Sequence, residues 1–169
     1  MEKTLRVPNR MVKDGVIEQY AIGGAVAAIF YVEPINTNEL VVFFHVKDSG
    51  PGLDVLRALY EYLSRLGYRP QGESIDIEGW PVQFLPIFNS LLEEAVEQAK
   101  EVRYQHTKTR VMTAEHLVAI MLQTGRLKDF ARVTQFMEHE VVDHERLSAI
   151  VKSYGLTSAG QEFNRKYAK

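Results

Sequence analysis

The sequence predicts an α+β domain in which a mixed β-sheet is flanked by helices and followed by a helical C-terminal half. Strand-like apolar runs lie mainly before residue 113, and amphipathic helical spacing dominates after it, an order that is typical of this class. The 169 residues, 46% hydrophobic and 25% charged, suffice for one domain with its own core. We therefore interpret 1–169 as a single domain, with an α/β core at approximately 15–105 and a helical part at 113–155.

Each element of the first half is predicted from its residue pattern. Apolar residues at helical spacing indicate the helices. The β-branched and aromatic run LVVFFHV indicates a central strand that is buried on both faces. The predicted elements are, in order, a helix over 9–18 with Asn9 as its N-cap, a strand over 20–22, a helix over 25–32, a strand over 40–46 and a helix over 53–66.

The second half is predicted to begin with a hairpin and to continue mainly as helices. Glu78-Gly79-Trp80-Pro81 has the composition of a turn between two short strands. Thr113 is placed as an N-cap, and Gly155 is placed to end a helix. The predicted elements are strands over 74–77 and 82–85, a helix over 89–102, a strand over 109–112, helices over 113–122, 127–137 and 143–154, and a further turn or helix from 157.

Composition excludes several classes of protein. The chain has no cysteine, which excludes disulfides, thiolate metal sites and a thiol nucleophile. It shows no signal-peptide pattern and no run of the roughly 20 apolar residues that a bilayer crossing requires. We therefore expect a cytoplasmic protein without a membrane partner. The net charge of −2 does not indicate RNA as a partner, although a local basic patch is compatible with RNA.

Two segments resemble a known family. In the first, Gly23-Gly24 follows a predicted strand and opens a helix, and Thr37 then precedes Glu39-Leu40-Val41. This pattern resembles the nucleotidyltransferase superfamily, especially its small abortive-infection and antitoxin-related proteins, in which a Gly-Gly or Gly-Ser pair is followed by Asp-x-Asp. The second segment, TAEHLVAIMLQTGRLKDFARV from Thr113, is similar to the later helices of that family. The resemblance covers roughly 15–155.

The resemblance implies a site for a nucleotide and Mg²⁺. A glycine pair lets backbone N–H groups at a helix N-terminus approach phosphates. Carboxylates at alternate strand positions hold one or two Mg²⁺ ions, with a third carboxylate on a later strand, here at Gln83. The implied nucleotide-binding residues are Gly23, Gly24, Thr37, Arg126, Lys128 and Asp129, and the implied catalytic and metal-binding residue is Glu39.

The sequence departs from the family pattern where the metal would bind. Glu39 is one methylene longer than aspartate, Val41 has no ligand atom, and Gln83 is neutral. Mg²⁺ requires near-octahedral oxygen coordination, so we expect it to be held only weakly here, together with a nucleotide. The pattern predicts a degenerate active site.

The same residues also have simpler, purely structural interpretations. Gly23-Gly24 suits a tight turn, and the residues after Gly125 suit a helix start with local ion pairs. His139 and His144 would lie about 140° apart on one helix, at roughly 100° per residue, so they cannot share a ligand face. The remaining expectations are a satisfied core or edge histidine at His45, histidines without partners at His106 and His116, and a basic patch widened by Lys108 and Arg110.

Three functions remain open from the sequence. The first is a non-catalytic nucleotide-, RNA- or protein-binding regulatory module with a largely lost metal site. The second is an active nucleotidyltransferase that modifies a protein or RNA, using Glu39 with Asp129 or with a relocated acid such as Asp76 or Glu78. The third is a structural partner protein that forms a homodimer or a toxin–antitoxin-like complex.

Overall fold

The computed structural model describes residues 1–32, 37–46 and 52–167, with 52–54 described by their backbone alone. The described residues form seven strands and eight helices. The strands are β1 Gln19–Gly23, β2 Leu40–His45, β3 Pro70–Gln71, β4 Ser74–Ile77, β5 Trp80–Pro86, β6 Lys100–Tyr104 and β7 Thr107–Val111. The helices are α1 Glu2–Lys13, α2 Gly24–Ala28, α3 Gly52–Arg65, α4 Ser90–Glu97, α5 Ala114–Thr124, α6 Leu127–Glu138, α7 His144–Ser153 and α8 Thr157–Tyr167.

The strands form one mixed sheet in the order β3-β4-β5-β2-β1-β7-β6. Strand β2 pairs in parallel with β5 and antiparallel with β1, and β1 pairs in parallel with β7. Leu40, Val42 and Phe44 of β2 are fully buried, and Phe43 on the other face is nearly so. The predicted two-sided central strand is therefore confirmed, and so is the α+β class with helices flanking a mixed sheet.

The prediction of the first helix is wrong in its boundaries. The helix begins at Glu2 and ends at Lys13, because Leu5 and Met11 form a buried face that packs into the core. Asn9 lies inside this helix and does not cap it. Its side-chain amide donates to the Lys108 carbonyl at 2.7 Å, and its carbonyl oxygen accepts from the Tyr20 hydroxyl at 2.7 Å.

The predicted helix over 89–102 is also wrong in its second half. Asn89 caps α4 by accepting from the Leu92 N–H at 2.8 Å, but the helix ends at Glu97. The chain then forms β6, which pairs antiparallel with β7. Helix-favouring residues here are overridden by pairing with the neighbouring strand. The charged, exposed side chains of β6 suit an edge strand, because charge discourages pairing with another molecule.

Smaller differences concern the ends of elements. Helix α2 ends at Ala28, earlier than the predicted 32. The β4–β5 turn consists of Glu78 and Gly79 alone, both with positive φ, which matches the twist of a two-residue hairpin. Strand β3 was not predicted, whereas α8 confirms the further helix expected from 157.

A buried hydrogen-bond network connects α4, α5 and α7. His116 is 0% exposed, and its Nδ1 lies 2.8 Å from the Thr113 hydroxyl while its Nε2 lies 3.2 Å from Glu94 Oε1. The Tyr154 hydroxyl donates to the other oxygen of Glu94. Burial lowers the pKa of His116, and the bond from Tyr154 lowers the pKa of Glu94. Neutral His116 therefore donates from Nε2 to a carboxylate, and the expectation that His116 has no partner is wrong.

Candidate functional site

A cavity of about 340 Å³ lies between the sheet and the helices α4, α5 and α6. One wall comes from β2, β5 and the start of α2, and the other comes from α4, α5 and the start of α6. Its interior is largely apolar, and its polar groups are concentrated at two places. The apolar side chains include Phe43, Leu85, Leu92, Met112, Leu117 and Ile120.

The first polar group comes from the strand wall. Val41 and Phe43 both line the cavity, as expected for alternate residues of one strand, and so does Glu39 directly before β2. On β5, Gln83 and Leu85 line it too, and Gln83 pairs directly with Val41 in the parallel register. The structure therefore places Val41 and Gln83 on one face of two adjacent strands and Glu39 directly before β2, so that the three positions that the family pattern assigns to carboxylates line the same cavity.

The segment that leads into β2 has its own local structure. The Thr37 hydroxyl accepts from the Glu39 N–H and donates to the Glu39 carbonyl, both at 3.4 Å. Thr37 and Glu39 both line the cavity, and Glu39 is exposed. Its carboxylate is consequently open to solvent and to a ligand.

The two glycines, Gly23 and Gly24, have different roles in the structure. Gly24 lines the cavity and has a φ of +62°, which lies in the left-handed region. Gly23 does not line it. A Cβ atom at Gly23 would lie 2.6 Å from Cε2 of Phe43, so the absence of a side chain allows Phe43 to pack against β1.

The second polar group lies at the start of α6. Gly125 ends α5 in the left-handed conformation with a φ of +67°, and the chain turns directly into α6. Arg126, Lys128, Asp129 and Arg132 all line the cavity.

A buried carboxylate, Asp129, pairs with the two arginines among these residues. Asp129 is only 1% exposed and accepts two hydrogen bonds from Arg126, from Nε at 2.7 Å and from Nη2 at 3.2 Å. Nη1 of Arg132 lies 3.9 Å from Oδ1 of Asp129. Lys128 has no ion-pair partner among the residues that the structure describes. The local ion pair anticipated from the sequence is therefore present, and it lies in the wall of the cavity.

Other residues considered from the sequence lie elsewhere. Lys108 pairs with Glu101 at 2.7 Å, and Arg110 donates to the carbonyls of Glu97 and Ala99, so the predicted widening of the patch is wrong. Asp76 accepts from the Gly79 N–H within the β4–β5 hairpin, and Glu78 accepts from the Tyr68 hydroxyl, both outside the cavity.

The histidines also lie outside the cavity. His45 Nδ1 lies 2.9 Å from Glu18 Oε2, so the expected satisfied histidine has a partner, but it lies partly exposed at the end of the central strand β2 and neither in the core nor on an edge strand. His139 and His144 are exposed. No group of three or more His, Asp or Glu side chains within 1–32, 37–46 and 52–167 is placed to hold a metal ion.

Sequence reasoning missed two prominent residues of this site. Arg132 is one helical turn after Asp129, so its spacing was available as a signal once Asp129 had been singled out. Phe88 lies in the connection between β5 and α4 and belongs to no periodic pattern that would have marked it.

Solved structures with a similar fold match this chain over nearly its whole length. An antigenic nucleotidyltransferase-like protein from Paracoccidioides brasiliensis matches with a TM-score of 0.58 and 11% identity, over 94% of this chain and 90% of that chain. The chain has the nucleotidyltransferase-like fold. The solution structure of the antibiotic-resistance factor ANT(2'')-Ia matches with a TM-score of 0.51 and 14% identity, over 98% of each chain. At these identities the likeness concerns the fold, and function has to be argued from the site.

Comparison by sequence adds no relative. Neither the protein-family models nor the curated proteins gave a match to this chain. Among the helices of the described ranges, none combines the length and the apolar character needed to cross a membrane.

Proposed function

We propose that this chain is a non-catalytic nucleotide-binding module that has kept the nucleotidyltransferase-like fold and lost most of the metal site. One observation carries the proposal. The three positions that the family pattern assigns to carboxylates line the cavity and carry a single carboxylate, Glu39, beside Val41 and Gln83, while the opposite wall carries Arg126, Lys128 and Arg132. The counter-charge for a phosphate then comes from side chains of the protein.

The acids at the cavity do not suit a pair of divalent ions. Mg²⁺ is held by oxygen ligands in octahedral geometry, and two ions in contact with phosphates need several anionic ligands. Asp129, the second acid of the cavity, already accepts from Arg126 with both oxygens. A metal ion would have to displace a charge-assisted hydrogen bond there, which leaves Glu39 as the available anionic ligand.

The remaining surface of the cavity suits an organic anion. Guanidinium groups recognise phosphate oxygens through paired N–H donors, and Arg126 keeps its Nη1 group for this purpose. The apolar side chains on both walls offer a place for the sugar and base of a nucleotide. At about 340 Å³, the cavity lies near the small end of the usual range for ligand sites, so part of the ligand would lie at its mouth.

The test is a calorimetric titration with ATP, GTP, CTP and UTP, each in EDTA and in Mg²⁺ or Mn²⁺. We expect at least one nucleotide to bind with dissociation constants in EDTA and in Mg²⁺ or Mn²⁺ that agree within about twofold. No pyrophosphate should be released. Lys128→Ala should weaken binding by roughly 10- to 100-fold, because one charge-assisted contact to phosphate is worth roughly 1.5–3 kcal/mol. The matched control is Lys100→Ala, an exposed lysine of β6 outside the cavity.

Binding that requires a metal and is followed by pyrophosphate release would contradict this proposal. It would favour the second function, transfer of a nucleoside monophosphate to a hydroxyl group of a protein or RNA with pyrophosphate as the leaving group. The exposed carboxylate of Glu39 in the cavity is the observation that supports this alternative. In that case Glu39→Ala should abolish label transfer from α-phosphate-labelled nucleotides. Kinship with abortive-infection and antitoxin-related proteins stays a prediction.

A further inference from the structure

Phe88 is an aromatic side chain at the cavity with 74% of its surface exposed. Single exposed apolar side chains are common on folded domains, and Leu127 is 80% exposed, but among the exposed large apolar residues that the structure describes Phe88 is the one that lines this cavity. No other ring among the described residues stacks against it, whereas Phe44 and Phe84 nearby form an edge-to-face pair in the core. Its exposure at the edge of the cavity therefore calls for an explanation.

The backbone on both sides of Phe88 is fixed. The Ile87 N–H donates to the Phe44 carbonyl of β2 at 3.1 Å. On the other side, Asn89 caps α4, and its side-chain amide donates to Gln123 of α5 at 3.3 Å. Phe88 is thus held between the sheet and two helices, and the exposure of its ring is a property of a well-anchored segment.

The surroundings of Phe88 indicate what its ring would contact. The same cavity carries Arg126 and Lys128, which suit a negatively charged group. A molecule that fills the cavity from its cationic side and reaches Phe88 must combine an anionic part with a flat apolar part. Nucleotides have this combination, and stacking on an aromatic side chain accepts any base because every base has a π-face.

We infer that Phe88 is the stacking platform for the base of the bound nucleotide. This inference rests on the proposed function and deepens it, because it assigns the base to the β5–α4 connection and the phosphates to the start of α6. Since stacking depends on ring area, purine nucleotides should bind more tightly than pyrimidine nucleotides.

The experiment compares ATP with inorganic tripolyphosphate, which carries the phosphates without a base. In Phe88→Ala we expect the affinity for ATP to fall about tenfold while the affinity for tripolyphosphate stays unchanged, as loss of one stacked base implies. Phe88→Leu, which keeps apolar bulk but removes the ring, should behave like Phe88→Ala. Phe88→Trp should keep the affinity for ATP, and its fluorescence should change when ATP is added.

Ile29→Ala serves as the matched control. Ile29 is also an exposed apolar residue, 40% exposed, and it lies in a separate groove beside Met1 and Leu5. Its substitution should leave binding of both ligands unchanged. Because Phe88 is exposed, its variants should fold as the wild type does, which circular dichroism checks.

Three results would overturn the inference, and they differ in what else they affect. Equal loss of ATP and tripolyphosphate binding in Phe88→Ala would assign Phe88 to the phosphates. Unchanged ATP binding would remove Phe88 from the site while the proposed function stands, and a loss of self-association by sedimentation in that variant would assign the ring to a protein contact. Absence of nucleotide binding in the wild type would refute the proposed function itself.

Discussion

Gly23 and Gly24 are adjacent, yet each is required for a different physical reason. Gly23 has an extended backbone with a φ of −119°, which any residue adopts, but its missing side chain leaves room for the ring of Phe43. Gly24 has space for a side chain, since the nearest atom to an added Cβ is Cγ2 of Val41 at 3.4 Å. Its constraint is the left-handed φ of +62°. Packing therefore explains the first glycine, and backbone conformation explains the second.

A double-mutant cycle separates these two reasons. Gly23→Ala should lower the free energy of unfolding by about 1–3 kcal/mol, because the added methyl group clashes with Phe43. Gly24→Ala should lower it by about 1–2 kcal/mol, the typical cost of a left-handed conformation for a non-glycine residue. In a Phe43→Leu background, the cost of Gly23→Ala should shrink while that of Gly24→Ala stays the same.

Urea-induced unfolding measures all of these variants. If Gly23→Ala cost the same free energy in both backgrounds, the ring of Phe43 would not be the reason for glycine at position 23.

At the same scale, polar site residues were easier to predict than apolar ones. Thr37, Glu39, Arg126, Lys128 and Asp129 were predicted from motif positions, and the structure places them at one cavity together with Gly24, whereas Arg132 was missed. Their roles in binding stay predictions. Phe88 could not be predicted, because the exposure of a single ring depends on how the β5–α4 connection is anchored by residues distant in sequence.

At the scale of elements, the register between β2 and β5 determines which side chains can act together. Val41 pairs with Gln83 and Phe43 pairs with Leu85 in parallel strands. A one-residue shift would turn Gln83 away from the cavity, since side chains alternate between the two faces. We therefore expect these two strands to provide the backbone frame for a three-carboxylate site, in which the side-chain types decide whether a metal ion can bind.

This frame can be tested by restoring the carboxylates. The variant that combines Glu39→Asp, Val41→Asp and Gln83→Asp should gain Mn²⁺ binding in the micromolar to millimolar range, because clustered carboxylate oxygens are suitable ligands for such ions. The wild type should bind Mn²⁺ at this cavity at least tenfold more weakly. Electron paramagnetic resonance of free Mn²⁺ measures both.

The matched control carries Glu39→Asp, Val41→Asn and Gln83→Asn, which have nearly the same size without the added charges. It should not gain binding. Tight Mn²⁺ binding by the wild type, abolished by Glu39→Ala, would show that the natural side chains already form a metal site.

The errors in the predicted elements share one cause. Residues 98–102 favour a helix by composition, but from Lys100 onward the chain pairs antiparallel with β7. The helix at the N-terminus was misplaced because Asn9 resembles a cap, whereas its side chain is engaged with Tyr20 and Lys108. Both outcomes depend on tertiary contacts, which local propensity does not contain.

At the scale of the whole molecule, the helical part is joined to the rest by the network around His116. Glu94 of α4 accepts from His116 of α5 and from Tyr154 at the end of α7. Arg146 of α7 lies 3.9 Å from the buried carboxylate of Glu115 and donates to Gln98 at 2.7 Å. These contacts hold the α5 wall of the cavity against both its neighbours.

This network predicts a pH dependence of stability. Burial lowers the pKa of His116 below its ordinary value of about 6.5, so the unfolded chain binds a proton more readily. The stability that neutral His116 contributes is fully present above about pH 6.5 and is lost as the pH falls below that value. We expect the free energy of unfolding to fall between pH 7.5 and 5, and His116→Gln to reduce this slope.

Denaturant titrations at a series of pH values provide the measurement. His106→Gln, at an exposed turn position, is the control and should keep the slope of the wild type. An unchanged slope in His116→Gln would mean that burial of His116 does not contribute to the pH dependence.

The general architecture was predictable because long patterns of apolar residues indicate which side of each element is buried. The apolar run of β2 and the helical spacing after residue 112 each involve many residues, and each reflects the surface that an element presents to the core. The division into a core at 15–105 and a helical part at 113–155 stays a prediction.

The pairing of Arg126 with Asp129 also has a consequence for the kinetics and thermodynamics of ligand capture. A long cationic side chain ordinarily loses rotational freedom when it meets an anion, and that loss weakens the complex. Here the loss already occurs during folding, because the buried carboxylate immobilises the guanidinium group. An anion bound at the proposed site would therefore meet a donor whose orientation is set in advance.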